Sequence, residues 1–195
     1  MEHTQTFENK ILGLFKQIHP LDRVPRAGYL LRGVPVPESV SAHSHFLTLL
    51  AILFLDEYPE GFDREKVVTM AVIHDLPEAL LMDIPMPVGD GIMGNAKRHA
   101  EQTIFNQFFK GFPDRYKDFF EELIKRETPE ARLVAALDKV QMMIKILWYT
   151  HAGWGNLEEF WDNPENFRDC GIPEVKRLHE AIAAAACRKI PTKKN

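Results

Sequence analysis

Several features that mark particular classes of protein are scarce or absent in this sequence. Two cysteines, Cys170 and Cys187, are too few for a disulfide framework or a four-cysteine zinc site, and we expect unpaired thiols. The formal net charge of −4 excludes the basic excess typical of proteins that bind duplex DNA or RNA. The N-terminus lacks the pattern of a secretory signal, and the most apolar stretch, residues 46–55, is far shorter than the roughly 20 residues that span a bilayer. We therefore expect a cytoplasmic protein with no membrane segment and no duplex nucleic acid as partner.

The sequence also lacks runs of alternating β-branched residues, so no strand is predicted. Apolar residues spaced three and four apart recur along most of the chain, which is typical of amphipathic helices. We predict an all-α fold of about seven helices in a single domain over residues 1–195, with its core at about 7–150 and a C-terminal helix at about 173–188. The predicted helices cover about residues 7–18, 40–57, 64–74, 96–109, 112–125, 129–149 and 174–188.

Two segments rich in proline and glycine, residues 20–38 and 83–94, interrupt these helices. The first contains Arg23, Arg26 and Arg32, whose guanidinium groups can bind a phosphate through two parallel hydrogen bonds. We expect this segment to form one wall of a binding pocket.

One of the eight histidines, His43, falls on an apolar helix face. Val40, Leu47 and Phe54 share that face at helical spacing. A buried histidine with a hydrogen-bond partner would explain this position. A metal ligand would explain it as well, because neutral imidazole is a common nitrogen ligand.

Two acidic residues lie where an ionised group is costly. Asp75 follows His74 after the apolar run 71–73, and burial of its charge requires a partner or a metal. Asp138 lies at the edge of an apolar stripe in a predicted helix, although an exposed position beside Lys139 would explain it too. Two imidazoles and two carboxylates together suit one divalent ion of the Mn, Co, Fe, Ni or Zn class.

In this order, His43, His74-Asp75 and Asp138 resemble the HD-domain metal-dependent phosphohydrolase superfamily. The segments around them are similar to the branch that contains the bacterial 5′-deoxynucleotidase and its eukaryotic relatives. These segments are residues 37–43, 74–78, 83–85 and 137–138, within a matching region from about residue 23 to 142. The resemblance implies a helical bundle of the HD-domain type, a homodimer, and one divalent metal ion. It implies the metal ligands His43, His74, Asp75 and Asp138.

The resemblance also implies roles outside the ligand set. Glu78 would act on the attacking water or the leaving oxygen, and it would lie near the ion if the helix of His74 continued for one more turn. Asp83 corresponds to a family acid on the sugar side of the pocket, although a helix or turn cap would explain it too. The implied substrate-binding residues are Arg26, Tyr29, Arg32 and Lys97, with Tyr29 standing where relatives carry Trp. The chain departs from the family pattern at Gly28, Val36-Pro37 and Met82, which bears on the phosphate and sugar contacts.

These features together predict a metal-dependent phosphohydrolase that removes the 5′-phosphate from (deoxy)nucleoside monophosphates, so that its partner is a small phosphate ester. A di-iron oxygenase is an alternative within the superfamily, but it needs further histidines, and only His99 lies suitably between Asp75 and Asp138. A non-catalytic regulatory module that keeps the metal as a structural site is the other alternative.

Overall fold

The computed structural model describes residues 6–192 and shows a helical bundle over that range. Its seven helices of ten residues or more are α1 (Phe7–Ile18), α2 (Val40–Glu57), α3 (Arg64–Ile73), α4 (Asn95–Phe108), α5 (Arg115–Lys125), α6 (Pro129–His151) and α7 (Pro173–Ala185). Shorter helical segments lie between them at His19–Asp22, Ala27–Leu30, Glu78–Leu81, Met86–Val88, Gly89–Met93, Glu158–Asp162 and Pro164–Phe167.

The all-α prediction is confirmed, because residues 6–192 contain no strand. The predicted number of about seven corresponds to the long helices alone. The short segments have three to five residues each, which is too little sequence for a helical period to be visible. The ends of the predicted domain, residues 1–5 and 193–195, lie outside the described residues.

Capping side chains set the starts of the helices that carry the site. The Ser39 hydroxyl accepts a hydrogen bond from the Ala42 backbone N–H at 3.2 Å, where α2 begins. Asp63 caps α3 and Thr128 caps α6 in the same way. Each cap satisfies a backbone donor that the first helical turn leaves free, which contributes about 1 kcal/mol. α2 therefore has its predicted bounds, residues 40–57.

Three predicted helix ends are wrong by a few residues. α5 begins at Arg115 instead of 112, because Gly111 adopts a left-handed φ of 85° and Pro113 disfavours helical backbone in the residue before it. α6 continues to His151, two residues beyond its predicted end. α7 ends at Ala185, three residues early, and the chain then turns left-handed at Cys187. No helix within residues 6–192 combines the length and the apolar character needed to cross a bilayer.

α6 forms the centre of the bundle. α2, α3, α5 and α7 all pack against it, and buried side chains such as Leu47, Leu133 and Leu137 form the main core. A second cluster, with Phe105 stacked on Phe120, lies between α4 and α5. Because burial of a large apolar side chain contributes about 1.5–3 kcal/mol, the helices that carry the site are held firmly.

α3 ends at Ile73, before Pro77 as predicted, and the chain then makes two tight turns. The backbone N–H of Glu78 donates to the Asp75 carbonyl at 3.0 Å within the second turn. The condition under which Glu78 would share the helix of His74 is therefore not met. Glu78 opens the separate segment Glu78–Leu81, because proline disfavours helical backbone in the residue before it.

Residues 25–39 form a loop whose two ends lie side by side. An isolated bridge joins Pro25 to Ser39, and the Arg26 backbone N–H donates to the Glu38 carbonyl at 3.0 Å. This double closure places the loop beside the start of α2 and over the cavity described below.

Candidate metal centre

Three parts of the bundle bring the four predicted metal ligands together. His43 lies on α2, His74 and Asp75 follow the last residue of α3, and Asp138 lies on α6. The Nε2 atom of His43 is 3.1 Å from an Asp138 oxygen and 3.9 Å from an Asp75 oxygen. The Nε2 atom of His74 is 2.9 Å from the same Asp75 oxygen.

The tightest group consists of His43, His74 and Asp75, whose ligand atoms all lie within 4.8 Å of one another. Asp138 joins this group through its contact with His43. His43 is completely buried, whereas the other three side chains line a cavity. The group could hold a metal ion that small molecules reach from the cavity side.

Hydrogen bonds on the outer side of each imidazole indicate which nitrogen carries the proton. The Nδ1 atom of His74 lies 2.9 Å from the Ala71 carbonyl oxygen, which can only accept, so Nδ1 is the donor. The Nδ1 atom of His43 lies 2.6 Å from the Gln141 side-chain oxygen, again an acceptor. Each ring in its neutral form therefore turns an unprotonated Nε2 toward the carboxylates.

These two Nε2 atoms are the best test of whether the residues fit a metal. Both are buried, and neither has a hydrogen-bond partner within residues 6–192. A nitrogen lone pair that faces a carboxylate oxygen at 2.9–3.1 Å needs a positive charge between the two acceptors. A first-row divalent ion accepts both imidazole and carboxylate ligands, and ligating histidines usually donate their other N–H to a fixed acceptor. The residues fit such an ion.

Charge within the group keeps both carboxylates ionised. Burial would raise the pKa of Asp75, but His74 and Arg26 outweigh burial and hold that pKa far below its ordinary value. Burial is likewise outweighed at Asp138, whose pKa is lowered by Lys139 and His43. Against its own burial, the pKa of His74 is raised by Asp75, so the ring in metal-free protein takes up a second proton more readily than an ordinary histidine does.

Glu78 behaves in the opposite way. It is buried, and its Oε2 atom has no hydrogen-bond partner in the described part of the chain. Burial raises the pKa of Glu78 well above the ordinary carboxyl value, and the negative charges of Asp75 and Asp83 raise it further. A carboxyl group of this kind keeps a proton where exposed glutamates have lost theirs, which is the property of a general acid.

Asp83 binds the loop at residues 25–39 in addition to lining the cavity. One of its oxygens accepts a hydrogen bond from the Ala27 backbone N–H at 2.5 Å, at the start of a short helical turn. Its other oxygen lies 3.4 Å from the Arg26 guanidinium, which is also 3.4 Å from Asp75. Asp83 therefore bonds a backbone donor of a distant segment, which differs from the local cap considered from the sequence, and it also orients Arg26.

A cavity of about 510 Å³ opens beside the ligand group. Its acidic lining includes Asp75, Glu78, Asp83 and Asp138, and its basic lining includes Arg26, Arg32, Lys97, Arg98 and Lys139. The volume is in the range of pockets that bind small molecules. Because basic side chains and a bound divalent ion would offset the acids, a small anion can enter despite the acidic net charge of the chain.

The four predicted substrate-binding residues all line this cavity. Tyr29 is buried, and its hydroxyl donates to the Met142 carbonyl at 3.3 Å, so its ring is what the cavity can contact. Arg32 is paired with Glu159 at the outer edge.

Lys97, the fourth of these residues, lies on α4 with its Nζ atom 3.2 Å from Glu101. Burial would lower the pKa of Lys97, but Glu101 and Glu78 outweigh burial and raise it. The side chain therefore keeps its positive charge close to the acid Glu78.

Sequence reasoning missed the residues behind His43. Gln141, which contacts its Nδ1 atom, lies three residues after Asp138 and so on the same face of α6. Glu38 contacts Gln141 and belongs to the family-like segment 37–43, but that segment alone suggested no role for it. The helical spacing from Asp138 was the one signal that could have found Gln141.

Comparison with known proteins agrees with this geometry. The HD domain family matches residues 18–176. The chain is 30% identical to the 5′-deoxynucleotidase HDDC2 of Xenopus laevis over 179 residues, which is 88% of this chain and 85% of that protein. It is 27% identical to the 5′-deoxynucleotidase HDDC2 of Homo sapiens, over 89% of this chain and 85% of that protein.

Solved structures share the fold. A conserved hypothetical protein of Pyrococcus furiosus superposes with a TM-score of 0.71 at 33% identity, covering 88% of this chain and 98% of that one. A predicted metal-dependent phosphohydrolase of Magnetospirillum magnetotacticum superposes with a TM-score of 0.66 at 21% identity, covering 95% and 96%, and supports the fold alone. With a family match over most of its length and the His-His-Asp group in place, the chain belongs to the HD domain family.

Proposed function

We propose that this protein is a metal-dependent phosphohydrolase that removes the 5′-phosphate from nucleoside monophosphates, including deoxynucleotides. The observation that carries the proposal is the pair of buried Nε2 atoms, on His43 and His74, that face ionised carboxylates beside a cavity with basic walls. The names of the relatives, 5′-deoxynucleotidases from frog and human, support the substrate class.

His43, His74, Asp75 and Asp138 would hold one divalent ion of the Mn, Co, Fe, Ni or Zn class, because two nitrogen and two oxygen donors suit these ions better than Mg or Ca. When bound, the ion supplies positive charge to a phosphate oxygen and makes water more acidic. A di-iron centre gains no support, since His99 is exposed on α4 and the described residues hold one such ligand group.

Glu78 would carry the proton transfers. Hydrolysis adds the oxygen of water to phosphorus, breaks the bond between phosphorus and the 5′-oxygen, and leaves that oxygen in need of a proton. Because its pKa is raised, Glu78 can hold a proton and deliver it to the 5′-oxygen, and its ionised form can accept one from water. Proton transfer of this kind contributes about 10²–10⁴-fold to a rate.

Basic residues of the cavity wall would bind the phosphate. Lys97 brings a charge next to Glu78, and Arg26 is held in place by Asp83, which we assign to the sugar side of the pocket. Arg32 would act at the outer edge, since its guanidinium is paired with an exposed glutamate. The ring of Tyr29 would form the apolar surface against the sugar.

A phosphate-release screen tests this function. Protein loaded in turn with each of the five metals is given ribo- and deoxyribonucleoside 5′-monophosphates, with the matching 3′-monophosphates as controls. We expect release from 5′-esters with at least one metal and far less release from 3′-esters. Protein that retains its metal but releases no phosphate from any nucleotide would contradict the proposal and favour the non-catalytic module.

We also propose that the protein is a cytoplasmic homodimer. The side chains of Phe46, Leu49 and Leu53 are exposed along one side of α2, which is the kind of apolar surface that a second copy would cover. Free cysteines at Cys170 and Cys187 agree with a reducing compartment. Light scattering at several concentrations measures the oligomeric state, and a monomer at all of them would contradict the dimer.

A further inference from the structure

A chain of polar side chains runs through the core behind His43, on the side away from the proposed metal. The side-chain oxygen of Gln141 accepts a hydrogen bond from Nδ1 of His43 at 2.6 Å. The amide nitrogen of Gln141 lies 3.3 Å and 3.2 Å from the two carboxylate oxygens of Glu38. All three residues are more than nine-tenths buried, so solvent cannot substitute for any of these contacts.

The order of donors and acceptors along these three side chains allows one orientation of the Gln141 amide and one tautomer of His43. A carboxylate only accepts hydrogen bonds, so the NH₂ group of Gln141 must face Glu38. The amide oxygen then faces His43, and the imidazole must carry its proton on Nδ1. A reversed amide would point N–H donors at Nδ1 and favour a proton on Nε2, which is the nitrogen that a metal requires unprotonated.

Glu38 itself is fixed by one face of α6. Gln141, Lys145 and Tyr149 follow each other at intervals of four residues, and each of them contacts Glu38. The Nζ atom of Lys145 lies 3.3 Å from its carboxylate, and the Tyr149 hydroxyl accepts a hydrogen bond from its backbone N–H at 2.9 Å. A buried carboxylate is costly without such partners, so this cluster holds the Glu38 side chain, paired with Lys145, at a defined place.

We propose that Glu38 and Gln141 are positioning residues that hold His43 in the tautomer whose Nε2 faces the metal site. The inference rests on the proposed function only in that a metal binds at that nitrogen. A purely structural role would keep the ring in place but would not select its tautomer, which makes the two roles separable by experiment.

The direct test is the ¹⁵N chemical shifts of the His43 ring in metal-free protein, at about pH 8.5, where ordinary imidazoles are neutral. In the parent protein we expect Nδ1 to be protonated, whether or not Asp138 draws a second proton to Nε2. In Gln141→Leu, and in the milder Glu38→Gln, we expect a mixture of tautomers with more Nε2–H. A parent protein with its proton on Nε2 and none on Nδ1 would overturn the proposal.

The second readout is metal affinity, measured by Co²⁺ titration and the absorption spectrum of the bound Co²⁺. Loss of contacts behind a ligating histidine typically weakens metal binding about 10–100-fold. We expect a loss in this range for Gln141→Leu and a smaller one for Glu38→Gln. The matched control is Gln17→Leu, the same substitution at a half-buried glutamine of α1 that bonds only a backbone carbonyl, and it should bind Co²⁺ like the parent.

An exchange of the two side chains provides the rescue. In the double variant Glu38→Gln/Gln141→Glu, the new carboxylate can accept from Nδ1 of His43 and from the new amide, so the donor order is restored. We expect its tautomer and Co²⁺ affinity to return toward the parent values, whereas Gln141→Glu alone places two carboxylates together and stays impaired.

Folded single variants with an unchanged tautomer and unchanged Co²⁺ affinity would overturn the proposal, as would a double variant no better than Gln141→Glu. Should Gln141→Leu fail to fold, Glu38→Gln and the double variant decide the matter alone. The proposed function can fail separately, because a protein that hydrolyses no nucleotide would still show these shifts and affinities.

Discussion

His43 and His179 are the two fully buried histidines within residues 6–192, and their surroundings differ in almost every respect. Behind His43 lies a hydrogen-bond acceptor, Gln141, and in front of it lie carboxylate oxygens at 3.1 Å and 3.9 Å. His179 lies on α7 with its ring edge-on to Phe167, and neither of its ring nitrogens has a hydrogen-bond partner in the described part of the chain.

The comparison teaches that burial does not distinguish a metal ligand from a core histidine. Burial lowers the pKa of His179, so this ring stays neutral and acts as an apolar core side chain. His43 has the same burial, but a fixed acceptor on one nitrogen and acidic oxygens on the other direct its lone pair toward a cation. The neighbours therefore define the role, and the following predictions test them in order of expected effect.

The largest expected effect is from His43→Asn, compared with the same substitution at His179. Asparagine keeps a donor for Gln141 but removes the Nε2 lone pair, so we expect the bound metal to be lost. Phosphate release should then fall by at least about 10³-fold, because the ion's stabilisation of charge in the transition state is worth several kcal/mol. His179→Asn should retain the metal and most activity per folded molecule. Metal analysis and phosphate release measure both, and equal losses in the two variants would break the comparison.

Glu78→Gln should have the next largest effect. The amide cannot transfer a proton, so we expect a fall in kcat of about 10²–10⁴-fold with metal content unchanged. Steady-state kinetics on metal-loaded protein test this, with Glu121→Gln, at an exposed glutamate of α5 that pairs with Lys125, as the control. Full activity in Glu78→Gln would remove this residue from the chemistry.

The same Glu78 variant should be more stable than the parent in metal-free protein near neutral pH. The folded state keeps the Glu78 proton above 4.5, where the unfolded state loses it, so parent stability falls as pH rises from that value through the raised pKa. Glutamine has no proton to lose, so the stabilities of the two proteins should change with pH in the same way below 4.5 and diverge above 4.5. Urea unfolding at a series of pH values measures this, and parallel curves throughout would contradict the assignment.

His179 should show the opposite pH dependence. Its lowered pKa means that the unfolded state binds a proton below 6.5 before the folded state does, so stability falls as pH falls through that window. His179→Gln should flatten this acid slope and leave phosphate release at neutral pH close to the parent value. A slope that persists in the variant would mean that other groups cause it.

The smallest expected effect is from Arg32→Ala at the edge of the cavity. Its pair with Glu159 is largely exposed, so we expect the free energy of unfolding to change by less than about 1 kcal/mol. Because we place Arg32 at the outer edge of the phosphate site, KM should rise while kcat is retained. The matched control is Arg115→Ala, which removes an exposed pair with Glu65 outside the cavity lining and should leave KM unchanged.

Local signals account for the parts of this molecule that the sequence predicts well. Ser39 caps α2 one turn before His43, and Asp63 caps α3, the helix that ends just before His74, so the starts of both helices follow from short-range chemistry. The resemblance to a known family then brings Asp138 into the same group, and the 3.1 Å contact with His43 agrees with it.

Contacts between distant segments account for what the sequence does not predict. Gln141 meets Glu38 across about a hundred residues, and each is an ordinary polar residue in its own segment. Asp83 reaches back to Ala27, a pairing that depends on how loop and bundle pack. The sequence left open whether the helix of His74 reaches Glu78, and the turns before Pro77 place Glu78 on a segment of its own.

The bridged ends of the loop at residues 25–39 have a consequence for how this protein can change. Because Pro25 and Ser39 are neighbours and Arg26 bonds Glu38, the middle of this loop, residues 28–37, can differ in length and composition while α2, Arg26 and Glu38 stay in place. The ring of Tyr29, which we place against the sugar, therefore lies on a part of the chain that can change separately from the four proposed metal ligands. Transplanting residues 28–37 from a relative, with Arg26 and Glu38 kept, is the expected way to alter which nucleotide is accepted without rebuilding the ion site.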